Sequence, residues 1–268
     1  MIELALHLVV LIKVVPDGKE VFVDPVTFTL NRSMATNIIN PADENALEAA
    51  LQIKDQTNAK VTVMTMAPPF AEPFLMECMS RGADEAVLIS DRAVAGSDTY
   101  PTSLTVAAAI KKMGDVDIVF AGEKTSDSST GHVGPGVAEF IGAELASYSR
   151  KVTYENGYVT AERELENGIE EVRIPTPAVV TILTDSNDPR RATLRKKIDA
   201  MKRGIITWSL ADINIPADWV GLRSSPTVVK KMLPFPRKDR KGEKIEKEKI
   251  PELIDNLVKS GVIRVEAE

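Results

Sequence analysis

Apolar positions along this chain come in short continuous bursts that alternate with longer stretches of helical spacing. Residues 8–15 (LVVLIKVV) are rich in β-branched side chains and predict a central strand, closed by the turn Pro16-Asp17-Gly18. Residues 20–31 alternate only weakly and contain Asp24-Pro25, which predicts an irregular excursion or a small hairpin. Asn40-Pro41-Ala42-Asp43 opens a helix reaching about Lys54. Asn40 suits the cap, Pro41 the first helical position, and Asp43 and Glu44 set acid near the positive end. Leu47, Ala50, Leu51 and the stem of Lys54 form its inward stripe. Residues 60–66 predict a second strand stopped by Ala67-Pro68-Pro69, and residues 70–80 a helix whose Met76, Cys78 and Met79 suit a core. A third strand over 86–89, a helix from Asp98 or Thr99 to Met113, and a fourth strand over 118–121 complete the series. Strands and helices alternating at this spacing predict a doubly wound, mainly parallel α/β sheet with right-handed crossovers.

After Ser149 the pattern changes. Asn156-Gly157 and Asn167-Gly168 are hairpin signals that divide residues 151–155, 158–165 and 169–174 into an antiparallel meander. Residues 178–183 (AVVTIL) return to the apolar strand pattern and to the main sheet. From Asp188 onward no compact domain is evident. Arg190, Arg191, Arg195, Lys196, Lys197, Lys202 and Arg203 form a basic segment. Pro216, Pro226, Pro234, Pro236 and the charged stretch 237–249 read as an arm without its own core, ending in a short helix over 251–260. The organisation is an α/β domain over 1–187, a basic segment over 188–222 and a C-terminal arm over 223–268.

The 268 residues suffice for a sizeable core, and the net charge of −6 with a pI near 5.2 argues against nucleic acid as the main partner. The most apolar N-terminal run, residues 4–15, is interrupted by His7 and Lys13, is too short to span a bilayer and is unlike a secretory signal with its cleavage site, so a cytoplasmic protein is expected. The single cysteine excludes an intrachain disulfide, a Cys-x-x-Cys pair and a thiolate zinc cage. Electron handling by such a chain requires a borrowed cofactor.

Three features converge at the carboxyl ends of the predicted strands, where open α/β sheets hold ligands. They are the turn over 14–17, the strand end at Met66-Ala67, and the loop Asp127-Ser128-Ser129-Thr130-Gly131-His132-Val133-Gly134, which runs into a helical pattern through Val137 and Phe140. Short hydroxyls and free N–H groups at a helix start suit phosphate, although Ser and Thr are equally ordinary caps. With the Asn40 helix start alongside, the four would surround one nucleotide, Leu11 or Met66 against its adenine. Neither G-x-x-x-x-G-K-[ST] nor G-x-G-x-x-G occurs. His7 reads as structural or exposed, and His132 as a hydrogen-bond donor to a ligand. No nucleophile–His–carboxylate set or His–carboxylate metal cluster is arguable. The basic segment reads either as a solvated helix or as a docking surface, where the apolar Leu194 within RRATLRKK stands out.

The stretches VVLIKVVPD, NPADENALEAALQIKD, RGADEAVLISD, AGEKTSDSSTGHVGPGVAEFIG, PAVVTIL with PRRATLRKKIDAMK, and SPTVVKKMLP occur in the order found in beta subunits of electron transfer flavoproteins, and the chain resembles that family over nearly its whole length. The resemblance implies an adenine nucleotide alpha-hydrolase-like domain in a heterodimer. An alpha subunit would carry the electron-shuttling FAD and be wrapped by the arm, with Val228, Met232, Leu233 and Phe235 buried against it. It also implies a nucleotide site at Leu11, Asn40, Pro41, Ala42, Asp43, Met66, Asp127, Ser128, Ser129, Thr130, Gly131, His132, Val133, Gly134, Pro135, Gly136 and Val137. Leu194 falls on the leucine of the family's recognition loop, which anchors a partner dehydrogenase. The nucleotide is AMP in ordinary shuttles and a second FAD in the electron-bifurcating branch, whose loop pattern is kept at Asp127, Thr130, Val133, Gly134 and Pro135 but not at Ser128, Ser129 and His132. FAD is therefore expected, reduced by NADH. One electron would pass through the alpha subunit to a dehydrogenase or quinone reductase, and the other to a low-potential ferredoxin or flavodoxin. The alternative is a non-bifurcating shuttle with structural AMP. A stand-alone nucleotide-binding regulator would share the core but has no use for so long an arm. An ATP-pyrophosphatase would need a Ser-Gly-Gly-x-Asp-Ser loop where this chain reads Val15-Pro16-Asp17-Gly18.

Overall fold

A computed structural model describes residues 6–17, 36–230, 242 and 244–263. The excursion over 20–31 and the arm residues Met232, Leu233 and Phe235 lie outside the described residues. By its contacts the chain divides into two units, Met1–Met232 and Leu233–Glu268.

The first unit is built on strands that the apolar bursts anticipated: β1 (His7–Leu11), β4 (Lys60–Met66), β5 (Glu85–Ile89), β6 (Ile118–Gly122) and β10 (Ala178–Ile182). Their side chains are buried on both faces because helices cover both. Leu8 and Val10 of β1 join Leu47 and Leu51 of α1 (Pro41–Thr57) and Leu75 of α2 (Glu72–Arg81) in one layer. Val9 and Leu11 join Val106 and Ile110 of α3 (Thr99–Met113) and Val137 of α4 (Val133–Ile141) in the other. Hence β1, β5 and β6 carry continuous apolar runs, while the buried Thr62 and Thr65 interrupt β4 and Thr181 interrupts β10.

Together with β7 (Glu144–Glu155), β8 (Tyr158–Leu165), β9 (Gly168–Pro175) and β11 (Ile206–Trp208), they form a nine-stranded sheet in the order β11-β5-β4-β1-β6-β10-β7-β8-β9. Pairing is parallel from β11 through β7 and antiparallel from β7 to β9. The mainly parallel α/β sheet is the one the pattern predicts. Since β1 pairs with β4 on one side and β6 on the other, the chain reverses its direction of winding there, opening a crevice at the carboxyl ends of β1 and β6.

Four details differ from the pattern. Residues 8–15 are not one strand. At Lys13 the backbone N–H leaves the sheet for the Asp43 carboxylate, and β2 (Val14–Pro16) pairs antiparallel with β3 (Asn37–Ile39) in a separate ribbon. The meander begins earlier than Lys151, because β7 serves two neighbours: its first half pairs with β10 and its second with β8, across an irregularity at Tyr148, whose φ is +57°. The second hairpin loop is Glu166-Asn167, since Leu165 pairs with Gly168. Finally, residues 206–220 return to the first unit: β11 pairs with β5, and Leu210, Ile213 and Val220 are buried. In the second unit, α6 (Ile250–Lys259) carries Ile250, Ile254 and Val258 exposed along one stripe.

Candidate functional site

The crevice has a buried polar floor. Pro41 sits at the first position of α1 as expected, but Asn40 does not cap with its side chain. Instead its amide reaches across the crevice: Nδ2 donates to the Asp43 carboxylate (3.0 Å) and to the Lys124 carbonyl (2.9 Å), and Oδ1 accepts from the Ser126 N–H (3.1 Å). Asp43 joins the two strand ends, accepting from the Lys13 N–H at 2.7 Å and the Gly122 N–H at 3.1 Å. Burial pushes its pKa from the ordinary 3.8 up to about 7, against the opposing hydrogen bonds from Asn40, Lys13 and Gly122. Only glycine fits at 122, because a Cβ there would overlap Asp43 and Ala42.

Above this floor lies the loop after β6. The Lys13 ammonium lies 2.7 and 2.9 Å from the two Asp127 carboxylate oxygens, 3.4 Å from Ser128 Oγ and 3.5 Å from Thr125 Oγ1. Half-burial works to raise the Asp127 pKa, yet the hydrogen bonds from Lys13 and Thr125 hold it below the usual carboxylate range. Ser128, Ser129, Thr130 and His132 are exposed. Ser129 (φ +53°) and Gly131 (φ +68°) take left-handed backbone that turns the loop into α4. That helix starts without a side-chain cap on its first N–H groups.

The other expected residues have different settings. Leu11 and Met66 both border the α3/α4 layer, Leu11 buried and Met66 only partly so. Ala42 and Val137 are buried; Val133 and Pro135 are half-buried at the helix start. Gly134 and Gly136 serve close packing: a Cβ would lie 2.6 Å from Thr181 Cγ2 at the former and 2.5 Å from Ser103 Oγ at the latter. The sequence reading missed Lys13, Thr125 and Gly122 as parts of this arrangement. The signal for Lys13 was present, a lysine inside an otherwise apolar strand run.

The basic segment separates into inward and outward residues. Arg190 turns inward: Nε and Nη2 bind the buried Glu48 carboxylate at 2.8 and 2.9 Å, Nη2 also reaches Asp55 at 2.8 Å, and its own N–H reaches Glu48 at 3.0 Å. Asn45 and Asn187 exchange hydrogen bonds just before it. Thr193 then caps α5 (Leu194–Arg203), which buries Ala200 and rests on α2. Leu194, Ile198 and Met201, at helical spacing, stay 76%, 48% and 71% exposed. His7 is structural, half-buried against Thr62, with its pKa lowered by burial and Lys60.

A cavity of about 210 Å³ lies between α1 and β7–β8, and a groove of about 490 Å³ beside Phe70 and Ile205. Neither is lined by a crevice residue. Among the described residues no cluster of His, Cys, Asp and Glu could hold a metal ion, and no helix is long and apolar enough to cross a membrane.

Comparison with known proteins agrees with this architecture. The electron transfer flavoprotein domain family matches residues 27–213. The electron transfer flavoprotein subunit beta of Clostridium acetobutylicum is 43% identical over 226 residues, 84% of this chain and 87% of that one. The caffeyl-CoA reductase-Etf complex subunit CarD of Acetobacterium woodii is 39% identical over 94% of this chain and 97% of its own. Protein FixA of Sinorhizobium fredii is 41% identical over 88% of this chain and 86% of its own.

Proposed function

The chain belongs to the electron transfer flavoprotein family as a beta subunit, and on that premise we propose that it pairs with an alpha subunit and binds FAD in the crevice between β1 and β6, where NADH is oxidised and its electrons are bifurcated. The observation that carries this reading is the crevice itself. A buried polar floor, a hydroxyl-rich loop and an uncapped helix start meet at the switch point of the sheet.

The residues fit a dinucleotide. Ser129, Thr130 and the N–H groups of Val133 and Gly134 would anchor the pyrophosphate, and Asn40 to Asp43 would border the adenine end. Bound there, FAD would supply hydride acceptance from NADH and one-electron release. The protein's own contribution is anchoring and electrostatics. Asn40 and Asp43 fix the strand ends, Lys13 and Asp127 set local charge beside the loop, and no side chain performs covalent chemistry. One electron would pass to the alpha-subunit FAD and on to a dehydrogenase or quinone reductase docked at Leu194, the other to a low-potential ferredoxin or flavodoxin. Ser128, Ser129 and His132 favour the second reading, a single-flavin shuttle with AMP here. Extraction of the purified heterodimer decides between them. Two FAD and no AMP, with NADH bleaching the flavin absorbance, supports bifurcation; one FAD plus one AMP overturns it.

A further inference from the structure

We propose that Lys13 is the positioning residue of the nucleotide loop, a clasp that holds residues 127–132 against the end of β1 through Asp127. The inference rests on the nucleotide reading of the crevice and adds a residue to it.

The geometry divides Lys13 into a fixed and a free part. Its backbone is pinned on both sides, the N–H to Asp43 Oδ2 at 2.7 Å and the carbonyl from the Asn40 N–H at 2.9 Å. Its side chain, 45% exposed, crosses the crevice to the Asp127 carboxylate. On the opposite wall, the base of the loop is tied down by Asn40, through Lys124 and Ser126. The tip is held otherwise. Among the described residues, Lys13 is the one side chain outside the loop that hydrogen-bonds to any residue of 127–132. The remaining bonds of the tip are local, to Thr125, between neighbours, or onward into α4.

An exposed tip with two left-handed residues has little to restrain it once that contact is lost. Any ligand using its hydroxyls and N–H groups must then order it afresh. The charge-assisted contact, made to both carboxylate oxygens, also limits how far Ser128, Ser129 and Thr130 can move from the helix start. Lys13 thus sets the shape of the anion-binding loop without being required to touch the ligand.

The test uses the full heterodimer stripped of nucleotide and titrated with AMP and with FAD. Lys13→Met is expected to weaken binding about tenfold, the scale of ordering one residue's backbone again. Asp127→Asn is expected to do the same, the double variant to be no weaker than either single one, and Lys13→Arg to restore most of the affinity. A nitroxide on Thr130→Cys gives a readout independent of the ligand, measured against the same preparation without that cysteine. Cys78, the one native cysteine, is buried and escapes labelling. The label's spectrum should sharpen towards free motion in Lys13→Met and Asp127→Asn. Unchanged label motion in both variants overturns the clasp, and so does an Asp127→Asn variant that binds AMP more tightly, since Asp127 would then compete with phosphate for Lys13. If the parent heterodimer binds neither AMP nor FAD, the nucleotide reading fails while label motion still decides the clasp.

Discussion

At Asp43 two physical demands conflict. The floor of the crevice presents N–H donors from Lys13, Gly122 and Asn40, which suit a carboxylate, while full burial favours the neutral acid and lifts the pKa to about 7. A folded-state value above the ordinary 3.8 means that the group's contribution to stability is complete below about pH 4 and is lost as pH rises through 7. Asp43→Asn removes this dependence and sets an amide N–H₂ against one backbone donor, at a cost of about 1–3 kcal/mol. Urea unfolding from pH 5 to 8 should therefore show the parent's advantage over the variant shrinking as pH rises; an advantage independent of pH would put the folded pKa near its ordinary value. The packing glycines give a second residue-scale prediction. Gly134→Ala drives a methyl against Thr181, a branched side chain held in a buried strand, and should cost about 1–3 kcal/mol in thermal unfolding.

At the scale of elements, α1 does two jobs. Its first turn frames the crevice, while Asn45, Glu48 and Asp55 farther along hold the segment that leads into α5. Glu48 is buried and its partner Arg190 only 28% exposed, so Arg190→Ala strands a carboxylate and should cost up to about 3 kcal/mol. The double variant Arg190→Met with Glu48→Met should recover part of that loss in the same denaturation assay. The outward face of α5 behaves in the opposite way. Leu194→Ala at a position 76% exposed should change stability by less than about 0.5 kcal/mol. It should instead slow interprotein electron transfer with flavin content unaltered. Equal transfer rates for variant and parent would remove Leu194 from the docking surface.

For the whole molecule, the division at Met232 gives a clean cut. Cutting nearer Leu222 would strip Asp98, the cap of α3, of the hydrogen bonds its carboxylate accepts from Thr227 and of the one its N–H donates to Ser225 Oγ. A chain ending at Met232 retains the sheet and both helical layers, and should unfold cooperatively with near-parental circular dichroism. Loss of the arm should abolish co-purification of the alpha subunit. Undiminished heterodimer yield would remove the arm from that interface.

The main strands, helices and sheet class are legible in the sequence, because burial on both faces writes β1 and β6 as apolar runs and the helical spacing of Leu47, Ala50 and Leu51 marks α1. The sequence also marked the 127–137 loop, since hydroxyls and glycines before a helix are a local signal. Contacts between distant segments leave no such mark. That Lys13 meets Asp127, that Asn40 and Asp43 turn inward to tie strand ends, and that Arg190 faces Glu48 while Leu194 faces outward were decided only when the tertiary structure brought those residues together. The same holds for β11, whose three residues, Ile206, Thr207 and Trp208, become a strand only because β5 offers an open edge to pair with. Periodicity records which side of an element is buried, whereas hydrogen-bond partners across the fold depend on where the chain reverses, and the reversal between β1 and β6 is a property of the assembled sheet.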